Sequence, residues 1–224
     1  MCLIVLAWRA HPDASLIVAA NRDEFHARPA APAAFWDDAP GILAGRDLEA
    51  RGTWMGVSRG GRFAAVTNYR GAREPRAAQS RGALVTGFLS SREPPGDYVS
   101  SLKLAEFSGF NLLASDGGEL WWCSNRDRTP RRLEPGIYGL GNALLDDPEV
   151  DAAKDRFRRS IEGGLAIETL FAVVAESRIL NPQYGTRCST VLLWQERSLR
   201  FAERNFLADG AETETLRFEL ALRG

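Results

Sequence analysis

The chain has 224 residues, enough for one compact domain with a sizeable core. Its formal net charge is −1, with 45% hydrophobic and 25% charged residues, so bulk charge offers no case for a nucleic-acid partner or a membrane surface. Apolar runs fall short of the roughly 18 residues of a membrane span, and Arg9, His11 and Asp13 break the first run too early for a signal peptide. The expectation is a cytoplasmic protein with no integral membrane segment.

In chain order, the apolar runs 2–8 and 15–20 predict a strand pair, with RAHPDA as the turn between them. The Pro- and Ala-rich stretch ARPAAPAAFWDDAPG reads as a loop. TWMGVS and RFAAVTN predict a hairpin around Gly60 and Gly61. From about 79 to 107 the period becomes helical: Leu84, Val85, Phe88 and Leu89 share one face, and PPGDYVSSLKLAEF opens a second helix at its Pro-Pro. FNLLAS and ELWWCS are strands joined by DGG, and RRLEPG and IYGLGN are further short strands. DPEVDAAKDRFRRSIEG is the clearest helix, with Pro148 at its start, acids early and bases late. IETLFAVVAES predicts another helix, and CSTVLLW, SLRFAE and TLRFEL close the chain as strands. Strand runs alternating with helix pairs predict a layered α+β domain.

Three cysteines, Cys2, Cys123 and Cys188, form no disulfide framework, and two histidines without a CxxC predict no metal site. Cys2 has two readings. Beside Leu3, Ile4 and Val5 it fits a small buried hydrophobe. It also follows Met1, whose removal would leave a free α-amine on Cys2 with a pKa of about 7.7–8.0. One residue would then supply nucleophile and base together.

Other candidates sit at predicted strand ends. Asn21, Arg22, Asp23 and Glu24 make either a solvated turn or a charged cluster beside Cys2, where Arg22 would favour the thiolate and a carboxylate would orient the ammonium. His26 follows this cluster, and a lone histidine is more often structural or exposed than functional. Asn68 ends a strand, either for turn reasons or as an oxyanion donor, and Asn142 is placed similarly. Arg187, just before a strand, suits either a carboxylate clamp or a structural ion pair.

Taken together, CLIVLAW, NRDEF, TNYR, GNALLDDP and YGTRCSTVLL resemble the NRDE family, also called the transport and Golgi organisation protein 2 family, over nearly the whole chain. The resemblance implies a single domain over 1–224 with the N-terminal nucleophile hydrolase fold, a four-layer α-β-β-α sandwich. The same order is similar to the cysteine-type bile salt hydrolases and penicillin V acylases. By that likeness Cys2 is the nucleophile and Arg22 with a following acid its partners. Asn68 is the oxyanion donor, Asn142 a second pocket asparagine and Arg187 the pocket arginine. The hydrolase pattern spaces its Arg and Asp by two residues, whereas Asp23 and Glu24 follow Arg22 directly, so both acids are candidates.

Two functions follow from the resemblance. One is a cysteine amidohydrolase acting on a small amide, with no cofactor required. The other is a carrier for haem or another hydrophobic acid, its propionates on Arg22 or Arg187 and its iron within reach of Cys2, His26 or Tyr69. Either way the partner is a small molecule, and oligomeric state is not legible in the residues. Cys2 is expected at the edge of one sheet, with the other candidates around its sulfur.

Overall fold

The computed structural model describes residues 2–71 and 77–222. Its strands, in chain order, begin with β1 (Leu3–His11), β2 (Ala14–Phe25), β3 (Ala30–Trp36), β4 (Ala39–Asp47), β5 (Met55–Ser58) and β6 (Arg62–Asn68). Two helices follow, α1 (Gly82–Ser90) and α2 (Pro95–Ser101), then β7 (Phe110–Ser115), β8 (Leu120–Ser124), β9 (Asp127–Arg132) and β10 (Gly136–Leu140). The chain continues through α3 (Asp151–Glu162) and α4 (Ile167–Ala175) to β11 (Tyr184–Trp194), β12 (Ser198–Phe206) and β13 (Glu212–Ala221). None of the described helices is long and apolar enough to cross a membrane.

The chain divides into two compact units. The first takes in residues up to Arg28, Pro135–Gly141 and everything from Leu145 on; the second takes in Pro29–Glu134 and Asn142–Leu144.

The first unit is an antiparallel sheet in the order β10-β1-β2-β11-β12-β13, with α3 and α4 on one face. Alternate residues make that face: Leu3, Val5 and Ala7 of β1 and Ile17 and Ala19 of β2 pack against Phe157 and Ile161 of α3 and Leu170 and Val174 of α4. The opposite parity, Ile4, Leu6, Leu16, Val18 and Leu192, is buried as well. Burial of both faces is why LIVLAW reads as an unbroken apolar run rather than an alternating one. The turn leading into α3 opens at Pro148, and the Asp147 carboxylate accepts the Glu149 N–H there. Asp151 and Arg159 then sit at the helix ends that suit their charges.

The second unit is a seven-stranded antiparallel meander in chain order, β3 to β9. Helices α1 and α2 cover it, with Leu84, Val85 and Phe88 meeting Ile42, Ala64, Phe110 and Leu112. The β5–β6 hairpin turns at Gly61, whose φ of 72° is the left-handed conformation glycine adopts freely.

Four expectations are corrected. The stretch ARPAAPAAFWDDAPG is not loop but β3, a turn and the start of β4. Pro32 is tolerated because β3 is an edge strand and its register to β4 is irregular between Ala31 and Ala34. NRDEF is not a turn but the last part of β2, which continues because β11 pairs with it as far as Phe25. KLAEF does not extend α2; Leu104–Glu106 is a separate 3₁₀ turn. Cys2 is not on a sheet edge, since β1 lies between β10 and β2.

Candidate functional site

Cys2 immediately precedes β1, at the end of the first unit's sheet where β2 finishes and β11 begins. Leu3 lies opposite Asn21, and Arg22 lies opposite Cys188 of β11. Cys2 is half-buried, and its Sγ donates to the Asp23 carbonyl at 3.5 Å. The Tyr184 hydroxyl donates to the same carbonyl at 3.2 Å. The Asp23 carboxylate is buried, and its Oδ1 accepts from Thr186 Oγ1 at 2.6 Å. Thr186 is fixed in turn by the Ile179 N–H, which donates to Oγ1 at 2.9 Å. The chain passes closely here: a Cβ on Gly185 would stand 2.7 Å from the Ile179 carbonyl oxygen.

The register between β11 and β2 shifts between Thr186 and Cys188, leaving Arg187 as the extra residue of a bulge. The bulge aims Arg187 at the chain leaving β2. Its Nη1 donates to the carbonyls of Phe25 at 3.0 Å, Arg28 at 3.1 Å and His26 at 3.3 Å. These bonds fasten the segment after NRDE to the sheet. Asn21 is likewise structural: its Nδ2 donates to the Val174 carbonyl at 2.8 Å and its Oδ1 accepts from Ser189 at 2.6 Å, which ties β2 to α4 and β11. Glu24 turns to its own chain, accepting the Phe25 N–H at 2.8 Å. The His26 ring lies 3.0 Å from the Asn181 carbonyl through Nε2.

The three thiols differ. Cys123 and Cys188 are buried, at 1% and 2% exposure. Burial pushes Cys123 up to about 12, and burial followed by the charge of Glu203 pushes Cys188 well above its ordinary value. The Cys2 thiol is also raised, first by desolvation and then by the Asp23 charge, while Arg22 pulls it down. The thiol is therefore the resting form at neutral pH, and attack by sulfur needs a base beside it.

Asn68 and Asn142 belong to the second unit. Asn68 ends β6 with an exposed side chain, and its carbonyl accepts from Asn142 Nδ2 at 2.7 Å. The Asn142 carbonyl accepts the Arg70 N–H at 2.6 Å. Asn111 reinforces this tie by donating to the Ala143 carbonyl at 2.9 Å. The structure thus gathers Cys2, Arg22, Asp23, Glu24 and Arg187 at one end of the first unit, and pairs Asn68 with Asn142 in the second. Among the described residues, no group of three His, Cys, Asp or Glu side chains gathers to hold a metal ion.

Tyr184 and Thr186 escape the sequence reading although they lie in the same short run as Arg187. The signal was in YGTRCST itself: hydroxyl residues two apart on a strand share a face, and both reach Asp23.

A sequence model of the Transport and Golgi organisation 2 family matches residues 1–208. The chain belongs to this family. The bovine Transport and Golgi organization protein 2 homolog is 34% identical to this member over 275 aligned residues, covering all of both chains. Two solved structures share its fold. One is the Caenorhabditis elegans ortholog of N-acylethanolamine-hydrolyzing acid amidase, with a TM-score of 0.55 and 12% identity over 86% of this chain and 92% of that one. The other is the C2A mutant of the Clostridium perfringens conjugated bile acid hydrolase, with a TM-score of 0.58 and 8% identity over 97% and 96%. The family member therefore has an α+β fold of two antiparallel sheets with helices, the fold of the N-terminal nucleophile hydrolases, as its sequence predicts.

The electrostatics give a signed prediction. Asp23→Asn removes a charge that raises the Cys2 pKa, so the thiolate should form at lower pH. Arg22→Gln should move it the other way. Iodoacetamide labelling of Cys2 against pH, read by peptide mass spectrometry, checks both; an unmoved midpoint in both variants contradicts the assigned contacts.

Proposed function

We propose that this chain is a cytoplasmic cysteine amidohydrolase of the N-terminal nucleophile type, acting on a small amide with Cys2 as nucleophile. One observation carries the reading: of three thiols, only that of Cys2 is not fully buried, and it lies at a strand end beside Arg22 and Asp23. The hydrolase names of two proteins sharing the fold support it.

Removal of Met1, which lies outside the described residues, frees the Cys2 α-amine. With a pKa of about 7.7–8.0 the amine is mostly ammonium at pH 7, and its neutral minority, which grows as pH rises through that range, is the form that takes a proton. It takes the thiol proton, sulfur attacks the amide carbonyl, and the ammonium returns the proton to the leaving amine. The resulting thioester is cleaved by water, which the same amine deprotonates; the acid leaves and the thiol is restored. Asp23, held by Thr186 and Tyr184, fixes the sulfur through its carbonyl, and Arg22 favours the thiolate.

A carrier reading is favoured by a different observation. Phe25, Leu180 and Leu207 are 59%, 66% and 55% exposed, and all three stand at the Cys2 end of the first unit's sheet. Such a rim suits the apolar body of haem or another hydrophobic acid, with Arg22 near its carboxylates.

Intact-protein mass spectrometry of natively expressed, active material tests the mechanism. The amine-based route predicts a chain beginning at Cys2. Full activity with Met1 retained contradicts it and leaves the carrier reading standing.

A further inference from the structure

The far end of the first unit's sheet, away from Cys2, carries a second feature. Pro12 and Asp13 turn β1 into β2 there, and Gln195, Glu196 and Arg197 turn β11 into β12. An open cleft of about 1020 Å³ lies between these turns and Leu165 of the α3–α4 connection. Three arginines line it, Arg9, Arg197 and Arg200, against the two acids Asp13 and Glu196.

Arg200 is held rather than loosely displayed. Gln195 bridges the two turns, its Nε2 donating to the Asp13 carbonyl at 3.2 Å. Its Oε1 accepts from Arg200 Nη2, also at 3.2 Å, which orients that guanidinium. Arg200 Nε is buried and has no acceptor among the described residues. Arg9 adds a second sign. It sits in the irregular part of β1 between Trp8 and His11, with φ at 47°, a conformation a non-glycine residue adopts under strain. Its guanidinium lies 4.8 Å from the Trp8 ring. Asp13 is turned toward His11, its N–H donating to the ring Nδ1 at 3.1 Å and its carboxylate 4.0 Å from the same atom.

We propose that this cleft binds a small molecule through a multiply charged oxyanion group, paired with the guanidinium groups of Arg9, Arg197 and Arg200 that line it. Guanidinium forks match phosphate and carboxylate oxygens in shape as well as charge. The site is separate from Cys2 and does not depend on any chemistry there.

Calorimetric titration of the full chain at low ionic strength tests this, with sodium pyrophosphate in one arm and citrate in the other. Saturable one-site binding is expected in at least one arm, which also tells phosphate from carboxylate chemistry. Arg200→Lys keeps the charge but removes the planar guanidinium fork, and should weaken binding roughly tenfold or more. Arg197→Gln, on the exposed turn, should weaken it about threefold or more. If Arg200→Lys fails to fold by thermal melting, Arg197→Gln decides alone. Cys2→Ala should bind as wild type, so failure of the amidohydrolase reading leaves this result untouched. Absence of binding in both arms, wild-type affinity in the folded arginine variants, or loss of binding in Cys2→Ala overturns the proposal.

Discussion

Replacing Cys2 by alanine should lower kcat for amide hydrolysis by about 10⁴-fold or more, the scale seen when a covalent nucleophile is removed. Neither remaining thiol can take over. Cys123 and Cys188 are buried, and burial drives their pKa values up, so they hold their protons. The loss should fall on kcat, with substrate binding kept within a few-fold, because the sulfur bonds covalently only once the reaction begins. Stability should barely move. The half-buried sulfur makes one long hydrogen bond, to the Asp23 carbonyl at 3.5 Å, and a small change of this kind stays within about 1 kcal/mol. A variant that melts like wild type but has lost turnover is therefore expected. Wild-type kcat in Cys2→Ala would end the nucleophile assignment.

Phe157→Ala should destabilise the protein by about 3–5 kcal/mol, the usual cost of emptying a fully enclosed aromatic site. Phe157 has no exposed surface and is set on α3 among Leu3, Val5 and Leu170. Against a typical total of about 5–15 kcal/mol, that is a large share of the stability. The consequence reaches function, because α3 packs on β1, the strand that follows Cys2. Urea denaturation gives the value. Leu180→Ala is the contrast: at 66% exposure it should change stability by about 0.5 kcal/mol or less. Similar midpoints for the two variants would contradict the packing described.

The sequence was legible where period and burial agree. The β5–β6 hairpin, α3 and the closing strands announce themselves because one face is apolar and a turn residue ends each. It was least legible where tertiary pairing overrode local preference. NRDEF has the composition of a turn, yet β11 pairs along it as far as Phe25 and keeps it extended, and Asn21, Arg22 and Asp23 are buried. Pro32 argues against a strand, but an edge strand with a register irregularity has no need of its missing N–H. At the site, Cys2 and Arg22 were readable from motif and chemistry. The roles of Tyr184 and Thr186 were not, because they depend on the register between β2 and β11 and on the bulge at Arg187. That bulge also explains why Arg187, a pocket arginine by resemblance, spends Nη1 on three backbone carbonyls.

The central claim is that Cys2 forms a covalent bond to an acyl group. Purified protein incubated with a panel of acyl-amides, quenched in acid and digested, can be read for an acyl adduct peptide by peptide. The account predicts an adduct confined to Cys2 that appears during turnover and decays when substrate is exhausted. Turnover of an amide with no adduct at Cys2 at any quench time, and with undiminished rate after Cys2 is alkylated, would contradict it.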